Sequence, residues 1–197
     1  MENQCLDLQL STFIFILEKN KQLMMVLDSI SNLSLPNFYI AAGSVFQTIW
    51  NYYDGNDLNC GIKDIDVIYY NPDDLSIDAD LLYYEKIHSF VEKNHLPYLV
   101  DVSNEARMHL WKEKKEEVRV RPYRSSEDAI SRWIATVHAV GITKSGNHLQ
   151  VFAPYGLSDI FSRTIRPIKH EGNSKELYEK KANSWRQRFP NVHIVPW

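Results

Sequence analysis

Two aspartates sit inside a run that otherwise reads as buried strand. Residues 61–70 are GIKDIDVIYY, with Asp64 and Asp66 set among isoleucine, valine and tyrosine. Asp is depleted in strands, and a carboxylate taken out of water is costly without a partner. Residues two apart on a strand share a face, so Asp64 and Asp66 point the same way while Ile65 faces the opposite layer. A third carboxylate, Asp101, lies in another apolar run, LPYLVDVSN at 96–104. If the two strands are neighbours, one sheet face carries three mutually repelling carboxylates. A divalent cation is the simplest way to offset that repulsion, and hard oxygen donors suit magnesium or manganese.

Upstream, FYIAAGS at 38–44 reads as a short strand, Phe38 to Ala42, that ends at Gly43-Ser44 before a helical pattern from Val45 to Tyr53. A strand-to-helix junction with glycine and serine is a place where phosphates are held, by close backbone approach at Gly43 and by the Ser44 hydroxyl with the helix N-terminus. Ser44 is equally well suited to be a plain N-cap. Lys63, beside the carboxylate pair, is placed either to touch a phosphate or to lie in solvent.

The flanking pattern is mostly helical. Apolar residues recur at helical spacing from Leu8 to Leu33, broken at Asn20-Lys21, and again in Ile77–Asn94 and Lys175–Phe189. Strands are expected at Asp64–Tyr70 and Tyr98–Val102, and a hairpin from Val137–Ile142 and Leu149–Phe152 around Lys144-Ser145-Gly146-Asn147. A helix start is expected at Ser125–Asp128, with Ile130, Trp133 and Ile134 on its buried face. Helices around a small sheet imply an α+β (mixed α/β) fold. We read residues 1–197 as a single domain: a helical segment at 1–35, a sheet core at 36–103 and a helical and hairpin portion at 104–197. Asn104, Arg107 and Trp111 are expected on one helix face, where they could hold a substrate by hydrogen bonding, phosphate contact and stacking. Core packing is the alternative for Trp111, and helix capping the alternative for Asp101.

The 197 residues are long enough for a substantial core, and 44% apolar with 24% charged residues is ordinary for a globular chain. The net charge of -3 mildly disfavours long nucleic acid as a partner. The apolar patch Phe13–Leu17 is too short to span a membrane. The two cysteines, Cys5 and Cys60, form no CxxC, so reduced, buried thiols in a cytoplasmic protein are expected.

Three carboxylates and a phosphate-holding turn suit nucleotide transfer. One ion lowers the pKa of an attacking hydroxyl and another neutralises the leaving pyrophosphate, with Asp64 and Asp66 touching both ions and Asp101 beside the nucleophile. The stretches AAGSVFQTIWN, GIKDIDVIYY, VDVSNEARMHLW, SSEDAISRW, AVGI and APYGLSDIF, between about Phe38 and Arg166, resemble the DNA polymerase beta-like nucleotidyltransferase superfamily. The resemblance is nearer to an uncharacterised bacterial branch called the nucleotidyltransferase family. It implies that fold, metal dependence through Asp64, Asp66 and Asp101, and an NTP substrate; the acceptor is unnamed. A nucleotide- or partner-binding module without turnover is the alternative. The chain departs from the superfamily's usual spacing between Gly43 and Asp64, as if a loop were inserted at Asp54–Lys63, and Lys112–Tyr123 is unusually charged for the group.

Overall fold

The computed structural model describes residues 2–116 and 120–197. Two N-terminal helices, α1 (Glu2–Lys19) and α2 (Lys21–Ser31), are separated at Asn20, whose side chain caps α2 by accepting the Leu23 N–H. The first strand, β1 (Tyr39–Ala41), leads into α3 (Gly43–Tyr53), and β2 (Asp64–Tyr69) into α4 (Ile77–Lys93). Next come β3 (Leu99–Asn104), a 3-10 turn at Glu105–Arg107, and α5 (Met108–Glu116). After α6 (Ser126–Ile130), the hairpin is β4 (Gly141–Ser145) with β5 (His148–Phe152). The C-terminal part holds α7 (Ser158–Phe161), β6 (Thr164–Ile165), α8 (Lys175–Arg188) and β7 (His193–Ile194).

Five strands form one mixed sheet in the order β3-β2-β1-β4-β5, parallel only between β2 and β3. This is the expected mixed α/β class. Helices cover one face: Phe13, Ile16, Leu27, Phe46 and Trp50 pack against Ile65, Val67, Val100 and Val102 in the main core. The alternation read from GIKDIDVIYY is the cause, since Ile65 and Val67 go to the core and Asp64 and Asp66 to the other side. That second face has a smaller cluster, Tyr39, Ala41, Ile68 and Ile130, which covers the sheet beyond the aspartates.

Several local expectations are corrected. Helix α6 stops at Ile130, so Trp133 and Ile134 lie in the following turns. The hairpin strand begins at Gly141, not Val137. Cys60 is exposed, because the segment before β2 runs over the surface; the Cys5 side chain lies outside the described residues. Of the charged stretch 112–123, residues 117–119 also lie outside them. The Asp54–Lys63 segment is tied down: Asn51 donates to the carbonyls of Leu58 and Cys60, and Asn59 bonds Asn20 and Gln22. Among the described residues, no helix is long and apolar enough to cross a membrane.

Candidate active site

The parallel register sets Asp66 directly beside Asp101, and Ala41 pairs with Asp66 on its other flank. Ala41 in turn pairs with Gly141. One row across the sheet therefore reads Gly141–Ala41–Asp66–Asp101, two small residues covered by Tyr39 and Ile130 and then two carboxylates. Asp64 stands two positions before Asp66 on the same face, opposite Leu99. The three aspartates singled out from the sequence are thus brought together on one patch of sheet.

Their electrostatics are those of an unbalanced anionic site. Asp66 is half-buried, and burial, then the charges of Asp64 and Asp101, push its carboxyl up to about 7. Asp101 is raised as well, by desolvation and then by Asp64. A fourth carboxylate, Glu105 at the end of β3, is buried, and desolvation raises it to about 8 against the attraction of Lys112. Neither Asp66 nor Glu105 has a hydrogen bond or ion pair to the described residues, in a fold where buried carboxylates are otherwise paired. A group kept at this cost in an open cleft is a functional candidate.

A cavity of about 220 Å³ opens over the patch, lined by Ala42, Asp66, Asp101, Glu105, His138 and Lys181 among others. It adjoins a second of about 360 Å³ that shares Glu105, Met108, Trp133, His138 and Lys181 and reaches Lys112 and Arg132. The aspartates lie in the first and Lys112 and Arg132 in the second, while Glu105 and Lys181 line both. Lys181 comes from α8, where it lies three residues after buried Tyr178 and four before buried Trp185, so it flanks the buried stripe. His138 is held between Trp133 and Trp185, at ring distances of 5.0 and 5.4 Å. Burial lowers its pKa to about 3, so it is a neutral imidazole in the cleft wall. On the far side of Asp64, the Arg188 guanidinium lies over Gly61, where an added Cβ would come within 2.6 Å of it; Gly61 also holds φ +67°. Glycine suits that backbone, and an added Cβ would make the Arg188 tip shift.

The turn before α3 differs from its expected form. Ala42, not Gly43, takes the left-handed backbone, with φ 59° and ψ -123°, and α3 begins at Gly43. Strain of this kind in a non-glycine residue is held in place by surrounding structure and clusters at functional sites. Ser44 is not the N-cap: it is buried within the first turn, and its hydroxyl donates to the Ala41 carbonyl at 3.4 Å. Of this turn, Ala42 lines the cleft, and the N–H groups of Gly43 and Ser44 that open α3 have no intrahelical partner.

Lys63 is exposed, and its carbonyl accepts the Leu99 N–H beside the aspartates. Asn104, Arg107 and Trp111 do not share one helix, because β3 runs on to Asn104 and a 3-10 turn intervenes. Asn104 is fully buried and its amide is consumed: it caps that turn through the Ala106 N–H and bonds Asn71 and Asp74. Arg107 is paired with Asp80 at 2.7 Å, and Trp111 stands exposed on α5. Sequence reasoning missed Glu105, Lys181, His138 and Arg188. For Lys181 the signal was present, as a lysine beside a Tyr–Ala–Trp stripe at helical spacing.

A profile of proteins described as nucleotidyltransferases matches residues 28–194. The chain belongs to the nucleotidyltransferase family. Its fold is similar to a structure solved by NMR and described as revealing a CCA-adding enzyme head domain, with a TM-score of 0.74 and 28% identity over 92% of this chain and 95% of that one. A search among curated proteins finds no match. The aspartate row, the turn into α3 and Lys181 all fall inside the matched span.

Among the described residues, no three His, Cys, Asp or Glu side chains are gathered tightly enough to hold a metal ion as they stand. The chemistry of the donor set nevertheless fits a hard divalent cation: carboxylates on one sheet face, mutually repelling and with no ion pair among the described residues.

Proposed function

We propose that this protein transfers a nucleoside monophosphate from an NTP to an acceptor hydroxyl, with Asp64, Asp66 and Asp101 as the catalytic carboxylates and the holders of magnesium or manganese. The observation that carries this reading is the register of Asp66 beside Asp101, with Asp64 on the same face and no ion pair to any of the three among the described residues. A divalent ion there supplies charge neutralisation of the triphosphate and a lower pKa for the attacking hydroxyl. The chain's own groups have separate tasks. Asp101, the outermost carboxylate, accepts the acceptor's proton. Lys181 faces the cleft from the opposite wall and offsets phosphate charge. The N–H groups at the start of α3 and the strained Ala42 backbone cradle phosphate oxygens. Lys63, exposed at the entry to β2, adds positive charge at the mouth. Ser44 supports the turn from inside, and Asn104 keeps the end of β3 in place. An NTP substrate fits a cytoplasmic setting.

The test uses α-labelled ATP, CTP, GTP and UTP with magnesium or manganese, and follows label into a fractionated cell extract. The Asp64→Asn/Asp66→Asn double variant runs in parallel. Transfer by the wild type alone is expected. A second reading, a nucleotide-binding module without turnover, draws on the separated carboxylates. Metal-dependent NTP binding with no transfer from any nucleotide would decide for it.

A further inference from the structure

Neither the three aspartates nor Ala42 borders the second space beside the cleft, the one of about 360 Å³. Its walls come from residues 105–112, 123–138 and 170–173 and from α8. Lys112 enters it from α5 and Lys181 from α8, and neither has an ion pair or hydrogen bond among the described residues. Arg132 also borders it, but its terminal nitrogens are committed to Asp128 and to the carbonyls of Arg121 and Pro122. Glu105, 5% exposed and unpartnered, is pushed up to about 8 by burial, so at neutral pH its carboxyl is mostly a donor. Two imidazoles in the wall register the lysines. Burial and then Lys181 hold His138 down to about 3, and burial and then Lys112 lower His170. Trp133, Met108 and Leu177 supply apolar surface.

We propose that this space binds a phosphate of the acceptor, and that the acceptor is a small phosphomonoester with a free hydroxyl. This rests on the nucleotidyl-transfer reading above. Two unpaired ammonium groups from different helices, with a carboxylic O–H beside them, suit a dianion whose oxygens accept from several directions. The triphosphate of the NTP belongs at the aspartate row and the turn into α3, neither of which borders this space, and a nucleoside is uncharged. The anion here is therefore carried by the other substrate. A volume of about 360 Å³ lies at the small end of ligand sites and suits a metabolite-sized molecule. Glu105 and Met108 also line the cleft over Asp66 and Asp101, so a ligand anchored by its phosphate extends its hydroxyl toward Asp101. In the transfer, that hydroxyl oxygen bonds to the α-phosphorus and the bond from that phosphorus to the pyrophosphate oxygen breaks. Pyrophosphate leaves, and the hydroxyl proton passes to Asp101 and on to solvent.

Two measurements on the full chain test this. Isotope-labelled, metal-free protein is titrated with glycerol 3-phosphate, and separately with glycerol and with acetate. Shifts of the Trp133 indole and of the Lys112 and Gly172 amides are expected with the phosphate ester alone. Binding should be at least about tenfold weaker in Lys112→Ala. The same shifts are expected when magnesium and a non-hydrolysable NTP analogue are already bound. No shift at millimolar ester, an equal shift with glycerol or acetate, unchanged binding in Lys112→Ala, or displacement by the NTP analogue overturns the proposal. In the second measurement, α-labelled NTP and magnesium are added to the dialysable fraction of a cell extract. Label is expected in a small molecule, and is expected to vanish when the fraction is first treated with a phosphatase that is then removed. Lys112→Ala should raise the amount of this fraction needed for half-maximal transfer at least about tenfold, with NTP binding unchanged. Label that survives the phosphatase treatment, or that enters only protein or nucleic acid in the whole extract, overturns the proposal. Absence of label in every fraction defeats the transfer reading instead, and the titration then decides the space by itself.

Discussion

Asp66 and Asp80 are both carboxylates removed from much of the water, and the fold treats them oppositely. Asp80 accepts hydrogen bonds from the Tyr69 hydroxyl at 2.7 Å and the Asn104 N–H at 3.0 Å, and pairs with Arg107 at 2.7 Å. Every lone-pair direction it needs is answered by protein. Asp66, on β2, receives no such partner among the described residues and faces two further aspartates and a cleft. A charge whose partners the protein supplies is part of the scaffold, locking α4 to the end of β3. A charge left without them stays available to a group from outside. Glu105 belongs with Asp66 in this respect, buried and without a hydrogen bond or ion pair among the described residues.

The contrast can be broken at either end. Asp64→Asn and Asp66→Asn are each expected to lower metal-dependent nucleotidyl transfer by about 1,000-fold or more, on the scale of an interaction made in the transition state. Thermal unfolding without metal should be unchanged or shifted upward, because each substitution removes like charge. An Asp66→Asn protein that unfolds would remove the distinction between the two aspartates. Asp80→Ala should do the reverse. It leaves Arg107 without its counter-ion and is expected to cost about 3–5 kcal/mol in denaturant unfolding, as breaking a buried pair does.

Titration sharpens the comparison further. In the folded, metal-free chain Asp66 is raised to about 7 and Glu105 to about 8. A carboxyl whose folded pKa lies above its unfolded value holds its proton more tightly when folded. Stability is therefore lost as pH rises from the unfolded values near 4 through 7 and 8, and levels off above. In a chelator, the melting temperature should fall between about pH 6.5 and 8, above the range where the lowered His138 works in the opposite direction, and Asp66→Asn with Glu105→Gln should flatten the slope. Added magnesium should flatten it too, by favouring the ionised carboxylates. A melting temperature independent of pH from about 6.5 to 8, or one unchanged in that range by Asp66→Asn with Glu105→Gln, would contradict the uncompensated state of these groups. The smallest effect is expected at Gly61→Ala. Its left-handed backbone and the contact with Arg188 should cost about 1–2 kcal/mol in stability, read by the same denaturant titration.

How much of this was legible beforehand differs from residue to residue. Asp64 and Asp66 could be placed on one face from a spacing of two, because pleat alternation is local. Helical spacing in Lys21–Ser31 and Lys175–Arg188 likewise gave the buried stripes that the structure contains. The substrate face of Asn104, Arg107 and Trp111 failed because its helical spacing began on a residue that belongs to a strand. Tertiary hydrogen bonds from Asn104 to Asn71 and Asp74 outweigh that local pattern. Ser44 and Gly43 were read from their usual preferences, yet the surrounding fold puts the strained backbone on Ala42 and turns the serine inward.

Sequence by itself determined the class of fold, the shared face of Asp64 and Asp66 and the acidic, oxygen-rich character of the site, because all three follow from residue type and short-range period. Tertiary structure alone decided that β3 lies parallel beside β2 in the register that sets Asp101 against Asp66. It also decided that Glu105, Lys181 and His138 share the cleft. Those relations join residues far apart in the chain, where no period connects them. They are set by which strands and helices bury apolar surface against one another.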